Sequence, residues 1–226
     1  VATIYWYPNE DCLNKKRALR LTAKTVDSGV MNSSDSFDDS ALKADFWEVM
    51  LARALQVRIA TGLHNASGIS TNCYRLVHGE GDNLPGLIID YYDGVCVLQA
   101  HSVGMFRAKK QISDALQKVY GSDLKAVYDK SSGTAPFKAG LELIDGYLYQ
   151  REGFNDDEQV VMENGQKFMV NWTEGQKTGF FLDQRDNRAL VGQMANGRNV
   201  LNLFCYTGGF SIYALANGAL HVDSVD

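Results

Sequence analysis

The sequence has few cysteines and prolines, and its cysteines are not arranged as they are in metal sites or disulfide frameworks. Its 226 residues include four cysteines and three prolines. The cysteines are widely separated and form no Cys-x-x-Cys pair, which argues against a zinc site and fits a reducing cytoplasm. No apolar run approaches the ~20 residues that are needed to cross a bilayer. We therefore predict a soluble, cytoplasmic protein without a membrane partner.

The sequence also has fewer basic than acidic residues: 22 lysines and arginines against 27 aspartates and glutamates, which gives a net charge of -5. This balance argues against a chain that binds nucleic acid over its whole surface. One local basic group remains, and both an RNA contact and a solvated strand face are compatible with it. Its members are Lys15, Lys16, Arg17, Arg20 and Lys24.

The two ends of the chain lead us to expect a fragment of a longer protein. The sequence begins at Val1 without an initiator Met, inside a run of strand-forming residues. It ends at Asp226, after a second strand-like run with no following element.

The middle of the chain shows alternating helix and strand patterns. Apolar residues between Phe46 and Ile59 recur every three or four positions and predict a helix. Asp93-Gly94 and Asn164-Gly165 are turn pairs between apolar runs, and each predicts a β-hairpin. A second helical pattern covers 106–120. We therefore predict a small mixed α/β unit, with strand pairs around one helix.

The first segment that indicates chemistry lies near the end of the chain. An apolar run, 200–204, leads into Tyr206-Thr207-Gly208-Gly209, and a helical stretch and a strand-like run ending in Asp226 follow. Glycine lets a ligand approach the backbone closely, and a helix start offers free N–H groups. Asp226 follows Gly208 by 18 residues, close to the ~20 expected of an acid that holds a ribose. The pattern predicts the first β-α-β unit of a nucleotide-binding sheet.

The glycine spacing limits which nucleotide this unit would bind. The G-x-G-x-x-G spacing of dinucleotide sites is missing, which disfavours a nicotinamide-dependent oxidoreductase. S-adenosylmethionine carries no phosphate and needs fewer glycines. A strand-to-helix turn without any ligand remains the alternative.

The second segment, 175–188, is dense in polar residues between aromatic ones. It includes Lys177, Asp183, Gln184 and Arg185, a concentration of donors and acceptors that a plain loop does not need. The alternative is a capped helix start, with Asp183 near the first turn of a helix through Arg188. The two interpretations are compatible.

These two segments, together with Tyr74–Leu87, resemble the large-subunit ribosomal RNA cytosine-C5 methyltransferase family. The resemblance implies three parts: the end of a PUA-like RNA-binding β-barrel (1–40), a central α/β module (41–171), and the N-terminal part of a Rossmann-like methyltransferase domain (172–226). It also implies S-adenosyl-L-methionine as cofactor and ribosomal RNA as partner, and it leaves a homodimer open.

The resemblance further implies which residues bind the cofactor. Residues of the Asp-Gln-Arg segment would pack on the cofactor side of the domain, the glycine turn would lie along the methionine part, and the terminal acid would hold the ribose. The residues concerned are Asp183, Gln184, Arg185, Phe204, Tyr206, Thr207, Gly208, Gly209 and Asp226.

In such enzymes a cysteine thiolate attacks C6 of cytosine, so that C5 can accept the methyl group. The family carries that cysteine and an Asp-Pro-Pro loop beyond the region matched here, so no catalytic residue is assigned. We interpret Cys205 as a packing residue, and we expect this chain by itself to transfer no methyl group. Guanine N-methylation, or a non-catalytic RNA-binding role, remains open as an alternative.

Overall fold

A five-stranded sheet lies at the centre of the structure, a computed structural model that describes residues 45–64, 70–136 and 140–226. The strands are hydrogen-bonded in chain order, and all neighbours are antiparallel except β3 and β4. The strands are β1 (Cys73–His78), β2 (Leu87–Tyr92), β3 (Val95–Ala100), β4 (Ala126–Asp129) and β5 (Gly146–Gln150). The hairpin predicted at Asp93-Gly94 is confirmed, because Tyr92 and Val95 are paired on either side of it.

Two helices, α1 (Phe46–Ala60) and α2 (Val103–Tyr120), pack on one face of this sheet. Both helices were predicted from their apolar patterns and are confirmed; their stripes contribute to one core, so the strand pairs pack around two helices and not one. Helix α2 begins three residues earlier than its apolar pattern indicated. The hydroxyl of Ser102 accepts a hydrogen bond from the Met105 N–H at 3.3 Å and caps the helix there.

A second hairpin covers the other face of the sheet. It consists of β6 (Glu158–Glu163) and β7 (Gln166–Asn171), and the predicted Asn164-Gly165 turn joins them with both residues at positive φ. Apolar residues of the hairpin share a core with β2, β3 and β4, and Trp172 is fully buried in it. The Trp172 indole N–H donates to the Tyr147 hydroxyl at 3.0 Å. The predicted domain division at residue 171 stays a prediction.

The last unit matches the strand, turn, helix and strand predicted from the glycine pair. A short 3-10 turn (Leu182–Gln184) leads into α3 (Arg185–Ala195), which is followed by β8 (Asn199–Leu203), α4 (Gly209–Ala216) and β9 (His221–Val225). Strands β8 and β9 are parallel and are joined by a crossover through α4, since parallel neighbours need such a connection. Their side chains are poorly covered: Leu201 is 63% exposed and Val225 is 53% exposed.

The predicted PUA-like remnant (1–40) and the basic group between Lys15 and Lys24 lie outside the described residues. Among the described residues, no helix is both long enough and apolar enough to cross a membrane.

Candidate cofactor site

The turn between β8 and α4 is built from residues with an unusual backbone. The φ values are 56° for Phe204, 49° for Tyr206 and 73° for Gly208. Residues other than glycine and asparagine rarely adopt this left-handed conformation. The first hydrogen bond within α4 runs from the Ile212 N–H to the Gly208 carbonyl at 3.0 Å. The N–H groups of 209–211 therefore have no helical acceptor, which makes this end of α4 suited to a polar or anionic group.

The acid at the end of β9 lies against this turn. Asp226 Oδ1 accepts a hydrogen bond from the Tyr206 N–H at 3.0 Å, and the Cys205 N–H donates to the Val225 carbonyl at 3.2 Å. Asp226 and Thr207 are exposed, and Phe204 is 89% exposed. The structure thus brings the predicted ribose acid and the predicted turn together, with several of their side chains open to a ligand.

The two glycines of the turn differ in what surrounds them. A Cβ on Gly208 would meet no atom within 4 Å, whereas a Cβ on Gly209 would lie 3.0 Å from Cδ of Arg188. Gly208 therefore provides positive φ and open space, and Gly209 provides the close approach of α4 to α3.

The polar segment that precedes α3 contacts this turn through Tyr206. The Tyr206 hydroxyl accepts a hydrogen bond from the Gln176 N–H at 3.1 Å, and its ring lies edge-on to Phe181 at 5.3 Å between centroids. Gly179, at a φ of 119°, packs against the carbonyl oxygen of Asn171, which lies 2.7 Å from where a Cβ would be. The segment 175–181 and the glycine turn are thus in contact.

A buried ion pair supports both segments, and the sequence analysis did not find it. The guanidinium of Arg188 makes two hydrogen bonds to Glu163, at 2.8 and 2.7 Å, and both residues are almost fully buried. Arg188 also donates to the Phe181 carbonyl at 3.1 Å and lies 4.5 Å from the ring centre of Phe180. Tyr213 of α4 donates to Glu163 Oε1 at 3.0 Å. The pair therefore ties the hairpin, the polar segment and α4 together.

One signal in the sequence could have indicated this pair. Arg188, Gly192 and Ala195 are spaced four and three residues apart and are the buried residues of α3. An arginine in line with two small residues on a helix is on the packed face, where it needs a buried acid. The partner, 25 residues earlier, cannot be identified from local pattern.

The Asp-Gln-Arg residues lie where the 3-10 turn meets α3, and their side chains contact residues other than those of the glycine turn. Asp183 does not cap the helix: its carboxylate accepts from the Gln184 side chain at 3.3 Å and lies 3.8 Å from the Lys177 ammonium. Arg185 pairs with Asp186 at 3.0 Å. Asp183 and Arg185 line a cleft of about 510 Å³ between α3, α1 and β1. In the described part of the chain, the hydrogen bonds and ion pairs of these residues reach no member of the glycine turn.

The three cysteines that the structure describes differ in their burial. Burial raises the pKa of Cys73 and of Cys96 well above the usual value for a thiol, so both are protonated thiols that make poor nucleophiles. Cys205 is partly exposed in the turn, and its Sγ lies 3.8 Å from the Tyr206 carbonyl oxygen.

Known proteins resemble this chain in both sequence and structure. Residues 151–226 match a family model described as S-adenosylmethionine-dependent methyltransferase. The ribosomal RNA large subunit methyltransferase I of Pseudoalteromonas atlantica is 43% identical over 181 residues, which are 80% of this chain and 44% of the relative. The ribosomal RNA large subunit methyltransferase of Deinococcus radiodurans is 39% identical over 182 residues, again 80% of this chain and 44% of the relative. The chain thus spans less than half the length of these relatives.

A solved structure of a SAM-dependent methyltransferase from Streptococcus mutans superposes with a TM-score of 0.68 and 28% sequence identity, covering 82% of this chain and 46% of that one. A methyltransferase solved in complex with SAH gives the same TM-score and identity, and covers 45% of that chain. These neighbours confirm the predicted mixed α/β fold with a Rossmann-like methyltransferase unit. Over 80% of its length the chain is thus similar in sequence to large-subunit ribosomal RNA methyltransferases, and its residues 151–226 match the S-adenosylmethionine-dependent methyltransferase family.

Proposed function

We propose that this chain supplies the cofactor-binding front of an enzyme that methylates C5 of a cytosine in large-subunit ribosomal RNA. The observation that carries the proposal is the contact between the glycine turn and Asp226, in a chain whose relatives are methyltransferases of that RNA. A homodimer and the end of a PUA-like domain in 1–40 belong to the same proposal.

The residues of the turn fit S-adenosyl-L-methionine. Asp226 has a carboxylate oxygen beyond the one that accepts from the Tyr206 N–H, and a carboxylate can accept both hydroxyls of a ribose. The open space at Gly208 and the unpaired N–H groups at the start of α4 suit the methionine part, whose carboxylate is an anion. Phe204, which is almost fully exposed, offers an apolar surface beside them. The roles of Asp183, Gln184 and Arg185 are proposed as indirect, since these residues lie where the 3-10 turn meets α3, directly after the segment that contacts Tyr206.

The chain's own contribution to the reaction is to bind and orient the methyl donor. The cofactor supplies an electrophilic methyl group when it is bound. The buried pair of Arg188 and Glu163 packs against the turn on the side of α3. It therefore keeps the backbone N–H groups of the turn in place while the cofactor binds. We assign the attacking cysteine to no residue of this chain, in keeping with the raised thiol pKa of Cys73 and Cys96.

Calorimetric titration of the 226-residue chain with S-adenosylhomocysteine tests the cofactor site. Asp226→Ala removes the ribose acceptor and is expected to weaken binding about tenfold or more, since hydrogen bonds to a charged group contribute roughly 1.5–3 kcal/mol. Asp223→Ala, on the same exposed strand, is the matched control and should bind normally. Equal affinity for the two variants would exclude Asp226 as the ribose acid.

Methyl transfer is tested with a form of the protein that covers the full length of its relatives. Large-subunit RNA lacking the modification is incubated with labelled donor, digested, and its nucleosides are separated by mass. Label in 5-methylcytidine supports the proposal, and label in a methylguanosine would replace it with guanine N-methylation. RNA binding without any transfer would favour the non-catalytic role.

A further inference from the structure

We propose that the cleft lined by Arg75, Asp183 and Arg185 binds an unpaired nucleoside of the RNA substrate, with the Arg75 guanidinium as its fixed hydrogen-bond donor. That the ligand is RNA rests on the proposed function. What is added here is a second binding site, on the central sheet. That site is separate from the cofactor turn.

Arg75 is held in place by a carboxylate that is itself buried. Asp90 is 0% exposed, and its two oxygens accept from Nε and Nη2 of Arg75 at 2.8 and 3.0 Å. Thr178 donates to the same carboxylate at 2.6 Å, and Tyr92 shares a hydrogen bond of 2.8 Å with Thr178. The strong hydrogen bond to Asp90 raises the pKa of Arg75, so it stays charged. A guanidinium fixed in this way loses little entropy when its remaining N–H groups bind a ligand.

The backbone at Arg75 is irregular at the same position. The pairing of β1 with β2 shifts between Arg75 and Val77, which leaves Leu76 without a partner in the register. Such a bulge redirects a side chain, and bulges are frequent beside binding sites. The side chain of Arg75 remains 29% exposed although its partner is buried.

Arg75 lies where two clefts adjoin. The first has a volume of about 510 Å³ and the second about 560 Å³, and both are lined by Arg75 and Asp183. Each volume lies in the range of about 300–1,000 Å³ that is usual for small-ligand sites. Apolar atoms of Leu63 and Leu182 line the first cleft, while Gln99 and Lys177 line the second. A planar base with polar edges fits such a lining. Because the first cleft continues into the second, the RNA chain on either side of that base can extend towards the segment 175–181.

The charges of the first cleft are nearly balanced, which favours a base over a row of phosphates. Arg58 is paired with both oxygens of Asp82, Arg75 is paired with Asp90, and Arg185 is paired with Asp186. Phosphate contacts need clustered uncompensated cations. Hydrogen bonds to base edges need fixed donors and acceptors instead.

Photo-crosslinking of the unmodified chain tests the location without any substitution. The probe is a short single-stranded RNA that carries thiouridine, and crosslinked peptides are identified by mass spectrometry. We expect crosslinks in the peptides that contain Arg75 and 182–185. Crosslinks confined to other peptides would overturn the proposal, and so would competition by S-adenosylhomocysteine, because the cleft would then hold the cofactor.

Equilibrium binding of the same RNA, labelled with a fluorophore, tests the role of the guanidinium. Arg75→Lys keeps a cation beside Asp90 but removes the planar fork, and we expect about tenfold weaker binding, the cost of one specific base contact. The control is Arg107→Lys, at an exposed arginine of α2. Equal affinities for the two variants would refute the proposal.

Two further measurements distinguish a wrong cleft assignment from a misfolded variant or a wrong proposed function. The tenfold loss should persist at high salt, whereas a loss that disappears with salt would indicate a phosphate contact and count against a base site. Affinity for S-adenosylhomocysteine, measured on the same preparations, reports folding and the proposed function independently. Normal cofactor affinity without any RNA affinity overturns the cleft proposal alone.

Discussion

Replacing Arg188 with methionine is expected to destabilise the chain more than any exposed charge substitution. The change leaves the carboxylate of Glu163, which is 0% exposed, without its cation. Removing one partner of a buried pair typically costs about 3–5 kcal/mol, because the remaining charge is left unsolvated. That is a large fraction of the roughly 5–15 kcal/mol by which a typical domain is stable.

The cost arises from the unpaired charge, and a second substitution should therefore recover part of it. In Glu163→Gln combined with Arg188→Met, the amide carries no charge and its oxygen can still accept from the Tyr213 hydroxyl. Replacing both members of a buried pair is often close to neutral. We expect the double variant to be more stable than Arg188→Met alone, although it has one more substitution.

Urea denaturation followed by circular dichroism and tryptophan fluorescence measures these differences as free energies of unfolding. Arg185→Met is the matched control, since it makes the same change on the same helix. Its partner Asp186 is largely exposed, and such pairs contribute at most about 1 kcal/mol. If Arg188→Met is no more destabilising than this control, or if the double variant is worse than the single one, the reasoning from buried charge is refuted.

Three further predictions concern the segment 175–181, the turn and the sheet. Gly179→Ala places a Cβ 2.7 Å from the Asn171 carbonyl oxygen at a φ of 119°, and it should lower the free energy of unfolding by at least about 2 kcal/mol in urea denaturation. Tyr206→Phe removes the acceptor for the Gln176 N–H, and calorimetry should show severalfold weaker binding of S-adenosylhomocysteine. Burial and the neighbouring Asp157 raise the pKa of Tyr147 from 10.0 to about 12. Because the pKa of Tyr147 is higher in the folded than in the unfolded state, its contribution to the free energy of unfolding should be fully present below pH 10. That contribution should be lost as the pH rises towards 12.

Each of these has a control or a contrary outcome. Gly165→Ala, at a φ of 80° with no atom within 4 Å of its Cβ, should cost only about 1 kcal/mol. Binding of the cofactor by Tyr206→Phe at the original affinity would mean that the contact with Gln176 does not position the turn. Tyr147→Phe should reduce the alkaline loss of stability, and an unchanged pH profile would contradict the assignment.

Local patterns in the sequence were enough to predict several elements of the fold. Asp93-Gly94 and Asn164-Gly165 specify their hairpins because few other residue pairs accept two positive φ values in succession. The unit from β8 to β9 was also predicted, since an apolar strand, a glycine turn and a short helix follow each other without interruption.

Contacts between distant residues could not be predicted in the same way. Arg188 and Glu163 are 25 residues apart, and Asp90 and Thr178 are 88 apart, so no periodicity connects them. Their pairing depends on how the hairpin and the polar segment pack on the sheet. The contact of Asp226 with the turn was predictable only because a parallel β-α-β unit brings both to the same sheet edge.

The exposed strands β8 and β9 have a consequence for handling the protein. Parallel strands are normally covered on both faces, yet Leu201 and Leu203 are 63% and 55% exposed here. Copies of the chain at high concentration can lower their free energy by joining through these side chains. The turn that follows Leu203 would then be partly enclosed, so we expect the apparent cofactor affinity to change with protein concentration. Titrations should therefore be carried out as a dilution series, with added hydrophobic dye as an independent measure of the free strand surface.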